Sequence, residues 1–442
     1  MRVLLVTQYF YPENFKSNDV AFELAARGHD VTVLTGLPNY PGGKIFDGYG
    51  MFRRRVETVN GVKVLRTLVI PRGNGGGMRL ALNYLSWAFI ASIWAFFLAL
   101  FRKYDAVIVH ETSPITQGFP ALVVKAIQRI PMYFWVLDLW PESLQAAGNV
   151  NNRYVLGFFS KIAALMYRNS SKILMSSKGF RESILDKGDF EDKLVYFPNW
   201  AEDVFSTDET KPLPELPDGF KIMFAGNIGE AQDFENVMNA ALLLKGTGVR
   251  MVIVGDGRKK QWVDRFVEEN MLQDVVYMMG RYPLEYMPSF FNKADALFLS
   301  LKDEYIFSLT TPAKLQAYMA SGKPVVAMIN GEARNLIEEA GCGLSCPSGD
   351  HAAFAECVMT LKNMAQPQRN VMGDNGLQYF NRYFNKETGR FIASGYPQTK
   401  EGQEIHIQSS YVLPLAFGLI DDDTLRGKIL DNLVETILNP GT

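Results

Sequence analysis

A chain of 442 residues, 48% hydrophobic and 21% charged with formal net charge −2, has an ordinary globular composition and is long enough for two or three domains. The near-neutral balance argues against a nucleic-acid-binding protein. Three cysteines, Cys342, Cys346 and Cys357, share one late segment without metal-ligand spacing or clustered histidines, so no metal site is expected and they read as reduced thiols of a cytosolic protein.

The opening MRVLLVTQYF lacks a small-residue cleavage site and reads as a first strand over 3–7 rather than a signal peptide. A short helix over 20–27 stops at Gly28 and a second strand covers 30–35, so the chain begins βαβ. Between them QYFYPENFKSND lies at the carboxyl end of strand one, where open α/β sheets bind ligands. It holds no GxGxxG, so a nicotinamide or flavin cofactor has no fingerprint. The loop GLPNYPGGKIFDGYGMFRRR is longer than most connections, which marks it as functional or mobile. Arg53, Arg54 and Arg55, with Arg66 and Arg72 behind them, read on their own as a solvated charged face.

Residues 84–101, YLSWAFIASIWAFFLALF, contain no charge and are followed by Arg102 and Lys103. A helix of that length measures about 27 Å, just short of the hydrocarbon thickness of a bilayer. It either spans a membrane or belongs to a soluble domain and docks into one leaflet. Strands of one sheet are expected on both sides of it, with 104–110 and 133–137 after it. A bilayer cannot divide a sheet, so topology favours a monotopic helix in the cytoplasmic leaflet, aided by the nearby arginines.

His110 and Glu111 close a strand beside the expected ligand edge. A strand-end histidine is more often structural, yet of His29, His110, His351 and His406 only His110 stands where a site is expected. Asp138 and Glu142 in DLWPE are caps or acceptor ligands, capping being the simpler reading. Strands over 173–176 and 194–197 precede ETKPLPELPDG, whose three prolines mark a linker and end the first domain near residue 215.

The pattern then restarts. KIMFAGNIG is a strand entering a glycine turn from Gly226 through Asn227 to Gly229, with a helix from about Phe234. MVIVGDGRKK repeats the device with Gly255 and Gly257, followed by Arg258, Lys259 and Lys260. VVYMMGR, ADALFLS and PVVAMI supply further strands, implying a second doubly wound parallel sheet whose strand ends converge. Thr310, Thr311 and Pro312 should cap a helix and supply its first-turn proline, leaving amide N–H groups over a strand end where a phosphate would be welcome. Lys314 then falls in the first turn, where a cation opposes the helix dipole; it serves an anion there or is a solvated surface lysine.

The segments RVLLVTQYFYPE, GLPNYP, WVLDLWPES, YFPNWAED, FAGNIGEAQ, VGDGR and TTPAK…YMASGKPV…GE together carry a resemblance. Residues 1 to about 380 resemble family 4 glycosyltransferases with the GT-B fold, in the branch that builds bacterial O-antigen, capsule and colanic-acid repeat units, and are similar to N-acetyl-L-fucosamine transferases. The resemblance implies an α/β protein with two Rossmann-like domains facing a cleft: 1–215 on the acceptor side and 216–380 holding the nucleotide sugar. It further implies a retaining enzyme at the inner face of the plasma membrane. Its co-substrate would be a UDP-sugar, its acceptor would be linked to undecaprenyl diphosphate, and it would need neither further cofactor nor metal. The phosphate-side cations of the family correspond to Arg258 and Lys314 and its strand-end histidine to His110. Gly226, Asn227, Gly229, Gly255, Gly257, Thr310 and Thr311 would border the nucleotide. The family's Glu-x7-Glu is absent, with Leu309 and Ala317 in its place, and Glu332 is the candidate substitute for ribose recognition. Residues 381–442 resemble instead a helical fragment of an α-L-rhamnosidase, without the carboxylates a glycosidase needs. A sugar-nucleotide 2-epimerase of the same architecture and an inactive membrane-docked scaffold are the alternatives; a soluble epimerase would not need the helix over 84–101.

Overall fold

The computed structural model describes residues 1–385 apart from 74, 149, 202 and 207–209. Of the stretch 381–442 whose sequence resembles a rhamnosidase fragment, all but the first five residues lie outside the described residues. Two compact units meet in the sequence between Phe197 and Pro198. That division precedes the proline-rich stretch, and Leu213 and Leu216 pack on the second unit's core.

In the first unit eight strands form one sheet: β1 (Arg2–Val6), β2 (Asp30–Gly36), β3 (Val56–Val59), β4 (Val62–Thr67), β5 (Ala106–Glu111), β6 (Met132–Val136), β7 (Lys172–Met175) and β8 (Leu194–Tyr196). Their order is β3-β4-β2-β1-β5-β6-β7-β8. All pairs are parallel except the β3–β4 hairpin. That hairpin is absent from the reading of the sequence, since Val56–Val59 alternates exposed and half-buried residues with no apolar run to announce it. The central strands are continuous apolar runs because helices cover both faces.

The long apolar helix starts earlier than 84 and runs Gly77–Phe101. Its inner seam is Trp87, Ala88, Ala91, Ala95 and Ala99. Alanines four residues apart let it press on the helix Phe119–Gln128 and on β2. Gly36 at the end of β2 makes room for Trp87, whose Cδ1 lies 3.0 Å from where a Cβ would stand. Gln8 Nε2 donates to Asn83 Oδ1 at 2.7 Å, tying the helix to the end of β1. Strands before and after this helix share one sheet, so a bilayer crossing with the two sets on opposite sides is impossible.

The second sheet contains β9 (Phe220–Asn227), β10 (Val249–Asp256), β11 (Val276–Gly280), β12 (Ala296–Ser300), β13 (Val325–Met328) and β14 (Gly343–Cys346). All its pairs are parallel, in the order β11-β10-β9-β12-β13-β14. Alternate residues of β9, β10 and β12 feed two separate apolar cores, Phe224 and Phe298 to one face, Met223 and Leu297 to the other. Cys342, Cys346 and Cys357 are unbridged.

Candidate active site

Each sheet has a switch point from which strands run out in opposite directions: between β1 and β5 in the first unit and between β9 and β12 in the second. Such switch points open a crevice at the carboxyl ends of the strands. In the second unit the crevice is physical. β9 follows β10 in register from Phe220–Val249 to Asn227–Asp256, whereas β9 pairs β12 only at Ile222–Ala296 and Met223–Leu297. Beyond those pairs the two strands splay. The Ala225 N–H donates instead to Tyr318 Oη at 3.1 Å.

A cavity of about 240 Å3 lies at the split, walled by Phe224, Gln232, Ser300, Pro312, Ala313 and Lys314 among others. Lys314 Nζ sits 4.0 Å from the centroid of the Phe224 ring. Its stem passes so close to β9 that a Cβ on Gly226 would stand 2.4 Å from Lys314 Cε, and Gly226 has φ 141°. Burial lowers the ammonium pKa to about 7, and among the described residues no carboxylate pairs with it. A half-buried ammonium over a ring, at a strand-end crevice and without a paired carboxylate among the described residues, has the chemistry to take an anion.

The helix behind it begins differently from expectation. Pro312 is the N-cap of Ala313–Ala320, without a side-chain cap. Thr310 Oγ1 donates backwards to the Ile306 carbonyl at 2.8 Å, closing an additional short helix, Tyr305–Leu309. Thr311 is buried. The threonine hydroxyl thus ends one helix rather than starting the next.

The two glycine turns pack on each other. A Cβ on Gly255 would lie 1.9 Å from the Gly226 carbonyl oxygen, and one on Gly257 would lie 2.3 Å from that of Ile228 and 2.7 Å from Asn227 Oδ1. Ile228 N–H donates to the Asp256 carbonyl at 2.9 Å, and Gly229 N–H to Gln232 Oε1 at 3.1 Å. Arg258 follows the second turn at an exposed position, with no ion pair among the described residues, while Lys259 is engaged by Glu230 at 3.1 Å and Glu235 at 2.6 Å. Glu332 opens the helix Glu332–Ala340 after Gly331, which lies against the Ser308 carbonyl. Arg258, Thr310, Thr311 and Glu332 do not line the cavity.

In the first unit His110 is buried on β5, edge-on to Trp135 with centroids 4.8 Å apart, and its Nδ1 is 3.4 Å from Thr7 Oγ1. Burial drops its pKa to about 3, so the imidazole is neutral, and its Nε2 has no hydrogen-bond partner among the described residues. Glu111 beside it is wholly buried, its pKa pushed well up by burial and then by Asp138. Asp138 rises to about 6 through burial, opposed by hydrogen bonds from Ser143, Ser113 and Trp140. Glu142 accepts from Ser183 Oγ and Lys187 Nζ, each at 2.7 Å.

The arginines do not form one solvated face. Arg53 and Arg54 are exposed, but Arg66 is buried in an ion pair with Glu57 at 2.8 Å, and Arg72 stacks on Tyr40 at 4.9 Å and Tyr9 at 5.8 Å. Glu13, buried and raised to about 7 by desolvation, accepts from the Asn39 and Tyr40 N–H groups at 2.8 and 2.7 Å, so it anchors the GLPNYP loop. Sequence reasoning missed Glu13, Phe224, Gln232, Ser300 and Tyr318; only the strand and helix periods hinted at them. Among the described residues no three His, Cys, Asp or Glu side chains gather as metal ligands.

Two parallel sheets with switch points are the architecture of the GT-B fold, and the family models add the glycosyltransferase class. Residues 17–200 match the family model of a glycosyl transferase 4-like domain and residues 219–363 that of glycosyl transferases group 1. The chain thus carries two glycosyltransferase domains in series. Among curated relatives it is similar to the probable glycosyltransferase WbjE of Pseudomonas aeruginosa, 26% identical over 70% of this chain and 80% of that one. It is also similar to the putative colanic acid biosynthesis glycosyl transferase WcaI of Escherichia coli, 25% identical over 68% and 75%. Among solved structures, sucrose-phosphate synthase of Thermosynechococcus elongatus superposes with TM-score 0.69 at 15% identity over 95% of this chain and 100% of that chain. HepE of Anabaena, in complex with UDP, gives 0.60 at 14% over 88% and 97%.

Proposed function

We propose that this chain transfers a sugar, with retention of configuration, from a UDP-sugar to a lipid-linked oligosaccharide during bacterial surface polysaccharide assembly. The observation that carries the reading is Lys314, held over Phe224 at a switch-point crevice with no counter-ion among the described residues. Transfer from a nucleotide sugar places negative charge on a departing diphosphate, and an ammonium held in a partly dehydrated site stabilises that charge more than solvent would. The relatives' names support surface polysaccharide, and the UDP in the HepE complexes supports the donor.

In this reading Lys314 meets the diphosphate, and the Gly226–Gly229 and Gly255–Gly257 turns bring backbone close to it. Arg258 adds charge from its exposed position, and Glu332 takes the ribose hydroxyls. His110, buried and neutral on β5, is the first unit's candidate for a role in the reaction. The acceptor hydroxyl enters on the face the leaving group vacates and gives its proton to a phosphate oxygen, so the chain itself needs no nucleophile. N-acetyl-L-fucosamine is the proposed sugar. The helix Gly77–Phe101 offers the membrane contact: Phe89, Phe97 and Phe101 are 69%, 52% and 81% exposed on the side opposite its alanine seam.

The test is thermal stabilisation by UDP and transfer from a panel of labelled nucleotide sugars into membranes bearing lipid-diphosphate-sugar acceptor. UDP should raise the melting temperature of the wild type but not of Lys314→Met. Absence of both UDP stabilisation and transfer would overturn the reading.

A further inference from the structure

The first unit has a second concavity that this mechanism does not use. It is an open cavity of about 950 Å3 at the β3–β4 edge, on the far side of β2 from the β1–β5 switch point. Tyr11, Phe46 and Tyr49 supply rings, and Lys44, Asp47, Arg54 and Glu57 supply charges of both signs. The walls are held from below. The Arg66 guanidinium pairs with Glu57 at 2.8 Å, donates to the Tyr11 carbonyl at 2.5 Å and lies 5.0 Å from the Tyr49 ring centroid. Arg54 stacks on the same Tyr49 at 5.5 Å.

We infer that this cavity is a carbohydrate-binding subsite for the extended part of an oligosaccharide acceptor. Three features choose that ligand class. With Glu57 paired to Arg66, Lys44 and Arg54 face Asp47 alone, and that surplus of one positive charge is small for a polyphosphate. Rings beside paired carboxylate and guanidinium groups offer an apolar face for sugar C–H groups and donors and acceptors for hydroxyls, which a neutral pyranose satisfies together. The open mouth suits a chain passing through rather than an enclosed small molecule. The wall is also fastened to the apolar helix: Arg55, next to Arg54, stacks on Trp94 at 5.5 Å. An acceptor whose lipid end lies in the membrane would thus present its glycan beside this edge, a placement that rests on the function proposed above.

The experiment is binding of the full, fluorescently labelled chain in detergent to a printed array of bacterial surface oligosaccharides, with and without pyrophosphate. The wild type should bind a subset of glycans, and a Phe46→Ala/Arg54→Ala double variant should lose at least tenfold in signal while keeping its stabilisation by UDP. Lys314→Met should bind the same glycans as the wild type. Absence of glycan binding, an undiminished signal in the double variant, or competition by pyrophosphate would overturn the inference. UDP stabilisation without glycan binding sinks this subsite alone, whereas glycan binding without UDP stabilisation sinks the donor site and leaves the subsite standing.

Discussion

In the proposed function Lys314 carries the charge chemistry of the second unit. With its pKa lowered to about 7 from 10.5, the native state binds fewer protons than the unfolded state between those values, so stability rises with pH across that window. Lys314→Met should flatten that rise in denaturant titrations between pH 7 and 10. A diphosphate restores the charged form, so UDP binding above pH 7 should take up a proton. Calorimetry in buffers of different ionisation enthalpy reads this uptake, and Lys314→Met should abolish it. Turnover in that variant should fall by about 10²–10³, the scale for removing a preorganised group at a developing anion. His110 works in the opposite window. Its folded pKa of about 3 lies below the unfolded 6.5, so its contribution is lost as pH falls from 6.5 toward 3. His110→Gln should make the acid limb of the stability profile shallower there.

At the scale of the element, the helix Ala313–Ala320 both delivers Lys314 and seals the split sheet through Tyr318, one turn further on the same face. Removing the Tyr318 hydroxyl leaves the buried Ala225 N–H unpaired. Tyr318→Phe should therefore cost about 1–3 kcal/mol in urea unfolding, with little change in the donor's chemistry. The helix Gly77–Phe101 divides its labour in the same way, a small-residue seam inward and large rings outward. Polar replacements at Phe89, Trp94 and Phe97 should move the protein from the membrane pellet to the supernatant without unfolding it. A triple variant that still sediments fully with membranes would end the docking proposal. Enlarging the seam is a different experiment: Ala91→Leu should lose about 1–3 kcal/mol by overpacking against the neighbouring helix and strand.

For the whole molecule, two sheets with separate cores make two cooperative units. Heating should give a transition whose second-unit component alone is raised by UDP, by about 2.7 kcal/mol at a concentration one hundredfold above Kd. Much of this organisation was legible in the chain. Apolar runs marked β1, β2, β5 and β9, the second and the last of them flanked by glycines, and the βαβ rhythm implied both parallel sheets. Gly226 and Lys314 were each visible as candidates because residue type and position are local facts. Their contact was not visible, nor was the burial of Arg66 in what looked like a surface charge run. Strand alternation could not reveal the half-exposed β3, and Glu13 resembled any loop carboxylate until the GLPNYP backbone closed on it.

Sequence by itself therefore determined the period, the breaks and the inventory of charges, because these depend on neighbours within a few positions of the chain. Tertiary structure decided which charges lost their water and which found partners. β9 and β12 meet only after a long excursion through two other strands, and their divergence past Met223 and Leu297 is what turns an ordinary first-turn lysine into a desolvated cation facing a cavity. Desolvation and pairing are properties of packing between distant segments, so no reading of local spacing could supply them.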